Sequence, residues 1–111
     1  MFLPNADKAI IPEKKITGYL LSASHPTGKS KAGFFIKAGF SLNDYFVVQE
    51  QLKNIPLKNQ VSSFEESEYG IKYTVDGELQ NKNNKTYNIR TIWIIEKNEN
   101  YPKFVTAFPK K

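Results

Sequence analysis

The sequence predicts an α+β fold of two to three N-terminal helices packed on one face of a three- to four-stranded antiparallel sheet. Three observations lead there. Apolar residues recur at three-to-four spacing through the first half, as in Ile16, Tyr19 and Leu20 and again in Ala32, Phe35 and Ile36. From Gly70 the period shortens to two: Ile71, Tyr73, Val75 and Leu79 alternate with Lys72, Thr74, Asp76 and Glu78. Two Asn-rich turns, Asn81 to Asn84 and Asn98 to Asn100, then cut the second half into short runs. Helices first and hairpin-joined strands after them is the α+β pattern.

Each element has its own signal. Met1 to Ile11 is a leading segment that either adds an edge strand or lies on the core. Pro12 opens a first helix, with Glu13 favourable at its positive end, and His25-Pro26 closes it because a residue before Pro avoids the α region. Gly18 weakens that helix by about 1 kcal/mol relative to Ala. Ser30 caps a second helix that ends at Gly39, a natural C′ residue. Ser41 caps a third, with Asp44 in a variant capping box, with Leu42, Phe46, Gln49 and Leu52–Lys53 along one side and Tyr45, Val48 and Leu52 close by, and with Pro56 as its stop. Leu57 to Tyr69 reads as a polar connection with a short strand around Val61 to Phe64 and a solvated acidic loop at Glu65, Glu66 and Glu68. The strands follow: Gly70 to Leu79, Thr86 to Glu96, and Lys103 to Phe108 between Pro102 and Pro109. Ile92-Trp93-Ile94-Ile95 is apolar on both faces, so Thr86 to Glu96 should be central. Lys110-Lys111 reads as a free basic end.

Residues 1–111 make one domain, long enough to bury roughly 65% of its unfolded surface. A hydrophobic fraction of 40% with 14% aromatics excludes a disordered tail. The chain has no cysteine, which excludes disulfides and cysteine-bound zinc and suits a reducing, cytoplasmic setting. One histidine leaves no basis for a transition-metal site, and no cofactor motif is present. No apolar run approaches membrane-spanning length, and Met1 to Asp7 lacks the pattern of a signal peptide. The net charge of +5 and pI near 9.4 favour a polyanion such as RNA, or an acidic protein, although many small domains carry such charge without either.

The stretch His25-Pro26-Thr27-Gly28-Lys29-Ser30-Lys31 concentrates chemistry. An imidazole suits proton transfer near neutral pH, Lys29 and Lys31 follow at once, and a helix starting at Ser30 would present free amides to an anion. The simpler reading of the same residues is that His25 and Pro26 end one helix and set the angle of the next. Arg90 shares a strand face with Ile92 and Ile94, where it would grip a phosphate bidentately or pair with Glu78, Asp76 or Glu96 at the rim. Thr91 shares the other face with Trp93. Thr106, between Phe104 and Phe108 on one strand face, either bonds a neighbouring backbone group or points into a cleft. Tyr73, Tyr87, Trp93 and Phe108 are core residues or stacking platforms for bases. Lys72 stands beside Tyr73 and is read with it as substrate-binding.

Several of these residues also carry a resemblance. Tyr19-Leu20-Leu21-Ser22, His25-Pro26, Gly28, Lys31-Ala32, Phe34-Phe35 and Gly39-Phe40 resemble the N-terminal signature of a family of small bacterial domains of uncharacterised function. Gly70, Lys72-Tyr73, Val75, Gly77, Arg90 to Ile94 and Pro102 to Ala107 continue it. The wider layout, with a last strand reading Phe-Val-Thr-Ala-aromatic-Pro, is similar to the barnase, EndoU, colicin and RelE group of toxin ribonucleases. That resemblance implies metal-independent RNA cleavage beside an antitoxin or immunity partner. Phe108 stands where a Tyr is often seen, and Lys29 where Arg is more usual.

The resulting expectation is a toxin-like ribonuclease working by transphosphorylation from the RNA 2′-hydroxyl. His25, Lys31, Arg90 and Thr106 would be catalytic; Lys29, Lys72, Tyr73, Thr91 and Trp93 would bind substrate. Neither metal nor cofactor is expected. The partners would be RNA and an acidic antitoxin or immunity protein, and the site of action the cytoplasm, of its own cell or of a target cell. The alternative is a non-catalytic protein- or RNA-binding module, the partner half of such a system.

Overall fold

The fold rests on a four-stranded antiparallel meander, β1 (Val61–Ser67), β2 (Gly70–Gln80), β3 (Thr86–Glu96) and β4 (Lys103–Pro109), in the order β1-β2-β3-β4. In this computed structural model residues 1–16, 34–40, 43 and 45–110 are described. They include a 3-10 turn at Ala6–Lys8, a first helical turn α1 (Glu13–Lys15), helical residues 34–37, and a long helix α2 (Tyr45–Lys58). The α+β architecture is therefore present. The rest of the expected first helix, the Ser30 and Ser41 caps and Asp44 lie outside the described residues.

The strand bounds follow the alternation of residue types. β2 and β3 pair over eleven consecutive positions, from Gly70 opposite Glu96 to Gln80 opposite Thr86. Tyr73, Val75 and Leu79 on β2, and Ile89, Thr91 and Trp93 on β3, are buried on the face covered by α2. As expected, β3 is central. β1 runs further than the expected short strand, so Glu65 and Glu66 lie on a strand rather than in a loop. Pairing with β2 through a tight Glu68–Tyr69 turn, where Ser67 Oγ accepts the Tyr69 N–H, overrides the polar sequence. The leading segment lies on the core, the second of its two expected places, and makes a single bridge where an edge strand was the other. Leu3, Ala9 and Ile11 enter the core, while Ile10 bridges to the outer edge of β4, donating to Pro102 O and accepting from Phe104 N, each at 2.9 Å.

Residues 34–40 end as a Schellman motif. Gly39 N–H donates to Ile36 O and Phe40 N–H to Phe35 O, both at 3.0 Å, with Gly39 at φ 97°. The Phe35 and Phe40 rings pack edge to face at 6.1 Å, the apolar contact that accompanies this cap. A buried amide ties this end to the β2–β3 turn. Asn81 Nδ2 donates to Ala38 O at 2.7 Å, while its Oδ1 accepts from Asn83 N and Lys85 N.

Helix α2 corrects two expectations. Val48, Leu52 and Ile55 are its buried stripe, whereas Phe46 is 64% exposed and Gln49 turns aside to donate to Ile11 O. Pro56 does not stop the helix; it sits inside the last turn, which runs to Lys58. The ring lacks one backbone donor, but it is fully buried. Asn59 then closes the helix by donating both its N–H and its Nδ2 to Ile55 O.

Gly77 permits the close approach of α2 to β2. A Cβ there would lie 2.7 Å and 2.8 Å from Ile55 Cγ2 and Cγ1. Gly77→Ala should therefore lower the unfolding free energy by about 1–3 kcal/mol, the usual cost of overpacking. In a denaturant double-mutant cycle, Ile55→Ala should relieve part of that loss; strictly additive effects would show that the contact does not limit the packing.

Candidate functional site

The pleat divides the anticipated residues between two faces. Tyr73, Thr91 and Trp93 face α2, and all three are buried. Tyr73 and Trp93 stand opposite each other on β2 and β3, with Phe104 opposite Trp93 on β4 and its ring at 5.4 Å, edge to face. The Trp93 ring is fully enclosed and Tyr73 nearly so, which leaves no ring face for a base to stack on. Thr91 is likewise engaged inward. Its hydroxyl donates to Val75 O at 2.6 Å and accepts the Trp93 Nε1–H at 2.8 Å. This joins the two central strands and satisfies the one polar atom of a buried indole.

On the opposite face stand Lys72, Thr74, Asp76, Arg90, Ile92, Ile94, Thr106 and Phe108. The pairing of β3 with β4 decides this for Thr106. Trp93 is opposite Phe104 but Ile92 is opposite Thr106, so Val105 is an extra, bulged residue. The bulge puts Phe104 in the core and turns Thr106 and Phe108 outward, so the expectation that Phe104, Thr106 and Phe108 share one face is corrected. Lys15 Nζ donates to the carbonyl of the bulged Val105 at 3.3 Å.

Arg90 lies opposite Asp76 and, on the other side, opposite Phe108. Thr106 is its diagonal neighbour, a relation that sets two residues about 7–8 Å apart, within reach of a long side chain. The guanidinium grips Asp76 in a fork, Nε to Oδ1 at 2.8 Å and Nη2 to Oδ2 at 3.0 Å. Of the three rim partners open to Arg90 in the sequence, Asp76 is the one used. Lys110 Nζ reaches Asp76 Oδ2 at 3.3 Å, and Lys110 N–H donates to Asn88 O, so this residue is not a free end. One carboxylate thus gathers two cations. The hydrogen bond from Arg90 holds the Asp76 carboxyl below its ordinary pKa, with partial burial opposing and Lys110 assisting; Asp76 in turn raises that of Arg90.

Lys72 is exposed on the same face, between Glu65 and Ile94. It is four residues from Asp76 on β2, about 14 Å along the strand. The structure therefore brings Arg90 and Thr106 together and leaves Lys72 apart. His25, Lys29 and Lys31 lie outside the described residues. Sequence reasoning passed over Asp76 as a site residue and read Lys110 only as part of a free basic end. The hairpin register identifies the first, because pairing Gln80 with Thr86 puts position 76 opposite 90. Nothing in the pattern marks the second, which follows the last strand. Among the described residues no three His, Cys, Asp or Glu side chains are placed to hold a metal ion, and no helix is long and apolar enough to cross a membrane.

Two measurements test this arrangement. Thr91→Val keeps the shape but strips the buried Trp93 N–H of its acceptor, and should cost about 1–3 kcal/mol in chemical denaturation; Thr91→Ser should recover most of it. Asp76 gives a pH test. Its folded-state pKa lies below the ordinary 3.8, so its stabilisation is complete above that value and is lost as pH falls through the folded value. The stability gap between wild type and Asp76→Asn should stay constant from neutral pH down to about 5 and shrink in stronger acid. A gap unchanged at pH 2 would detach it from the Asp76 ionisation.

A family model described as a domain of unknown function (DUF6883) matches residues 2–111, and the chain belongs to that family. No curated protein matches the chain. Among solved structures, a chain from a contact-dependent growth inhibition toxin–immunity protein complex of Klebsiella pneumoniae 342 superposes with a TM-score of 0.69 at 14% identity, covering 91% of this chain and 99% of that one. At that identity the likeness is one of fold.

Proposed function

We propose that this DUF6883 domain is the toxin half of a toxin–antitoxin or toxin–immunity system, a metal-independent ribonuclease acting in the cytoplasm. The observation that carries the reading is the placement of Arg90 and Thr106 as diagonal neighbours on the sheet face turned away from α2. A shared fold with a chain of a toxin–immunity complex and a net charge of +5 support it.

In this reading a 2′-hydroxyl attacks the adjacent phosphorus, the bond to the 5′-oxygen breaks, and the products are a cyclic phosphate and a 5′-hydroxyl. His25 moves the proton as acid or base. Arg90, with Lys29 and Lys31, stabilises the charge that develops on the phosphate oxygens, and Thr106 orients the group. Lys72, further along β2, contacts a flanking phosphate. Tyr73, Thr91 and Trp93 support the floor of the site from its buried side. The basic surface draws RNA and docks an acidic antitoxin or immunity protein.

One observation favours a second reading, a non-catalytic partner half: the Arg90 fork already holds a carboxylate. Expression in a bacterial host separates the two. Wild type should arrest growth and leave RNA fragments ending in cyclic phosphate. His25→Ala should cut cleavage about 100-fold or more while melting normally, the scale of a lost general acid or base. Intact RNA and normal growth with folded wild-type protein would select the binding module.

A further inference from the structure

We propose that Asp76 is a positioning residue that assembles Arg90 and Lys110 into a two-cation seat for one phosphate of a single-stranded RNA. The inference rests on the ribonuclease reading and adds two residues to it. Arg90 Nη2 at 3.0 Å and Lys110 Nζ at 3.3 Å share the same oxygen, Asp76 Oδ2. The two cations are therefore neighbours, and a single phosphate beside Oδ2 can touch both.

The chemistry of the fork explains why the carboxylate does not abolish the seat. Asp76 occupies the Nε–Nη2 edge of the guanidinium. A guanidinium carries five N–H groups, and the Nη1–Nη2 end is a second bidentate edge. With one edge fixed, the other is held in one orientation on the face that also carries Thr106. The cluster bears two positive charges against one negative, so it keeps a net attraction for an anion. Lys110 is itself tethered, by its backbone N–H to Asn88 O at 2.9 Å. The carboxylate is about four-fifths enclosed, at 19% exposure, whereas Arg90 and Lys110 are 38% and 45% exposed, so the cations and not the acid face the solvent.

This arrangement makes an opposed prediction for binding and turnover. Asp76→Asn removes a negative charge from the face, so nucleic acid should bind as tightly or more tightly. It also releases Arg90, so the chemical step should slow. A residue that merely stabilised the fold would not split the two in that way.

The experiment uses the full chain and two probes. The first is a single-stranded DNA oligonucleotide, which lacks the attacking hydroxyl and reports binding alone, followed by fluorescence anisotropy across a salt titration. The second is an RNA of the same sequence, followed for cleavage. Lys110→Gln should reduce the slope of log K against log salt by about 0.7, one phosphate contact on a single strand. Asp76→Asn should hold or raise DNA affinity, leave KM for RNA unchanged or lower, and reduce kcat at least about tenfold, one part of what orientation contributes; Asp76→Glu should restore part of kcat. Wild-type cleavage with an unaltered slope in Lys110→Gln, or with full kcat in Asp76→Asn, overturns the seat and leaves the ribonuclease reading intact. The predicted slope change with intact RNA sustains the anion seat and overturns the ribonuclease reading.

Discussion

Everything on this sheet depends on the register of one hairpin. β2 and β3 pair without interruption over eleven positions, and a side-chain period of two then fixes which face each residue takes. A slip of β3 by one residue would bury Arg90, expose Thr91 and Trp93, and leave Asp76 without its partner. The register is held from three sides. Asn81 organises the turn by accepting from Asn83 N and Lys85 N through its Oδ1. The Thr91 hydroxyl crosses to Val75 in the core. The Arg90–Asp76 fork crosses between the same strands on the other face. The two cross-links differ in kind. The first is a buried polar contact that would be costly to leave unmade, whereas the second is half-exposed and screened, so it orients side chains more than it stabilises the fold.

Two departures from regular pleating then adapt the sheet to its two faces. Gly77 removes a side chain where α2 crosses β2, letting Ile55 reach the strand. The bulge at Val105 does the opposite work on β4. Without it, Thr106 would share the inward face with Phe104, and Ala107 would point away from the core. With it, a large ring and a small methyl both pack inward, beside Trp93 and Thr91 respectively, and the hydroxyl of Thr106 goes to the face of Arg90. The same extra residue that perfects the core thus brings two polar side chains together.

Much of this was legible in the sequence, and the remainder was hidden for identifiable reasons. β3 is bounded by Thr86 and Glu96 as its alternation indicates, and Arg90 takes the face opposite Thr91 and Trp93 as its parity requires. Gly39 caps a helix because only a positive φ closes that motif. Parity fails at Thr106, since a bulge leaves no mark in residue types. Propensity fails at Glu65 and Glu66, where the neighbouring strand supplies the hydrogen bonds that the residues themselves do not favour. The expected face of α2 was turned slightly because Phe46 resembles a core residue, while Val48 and Leu52, read beside that face, and Ile55, not read at all, are the ones buried. The role of Lys110 was invisible because it comes from where β4 ends.

An acid between two cations needs a physical reason, because it weakens the attraction they exert on a polyanion. Long-range attraction depends on the total charge, which stays at +5 with Asp76 counted. Catalysis and specific contact depend instead on where individual charges are held. A flexible arginine on an open sheet loses much of its rotamer freedom only when it aligns with the reacting phosphate, and that entropy is added to the barrier of the chemical step. A carboxylate that already fixes the guanidinium moves the loss into folding, where the hairpin register supplies the geometry at no further cost in order. Asp76 is able to do this because the same pairing that builds the core places it opposite Arg90. The fold and the proposed site therefore draw on one constraint, read on opposite faces of the same two strands.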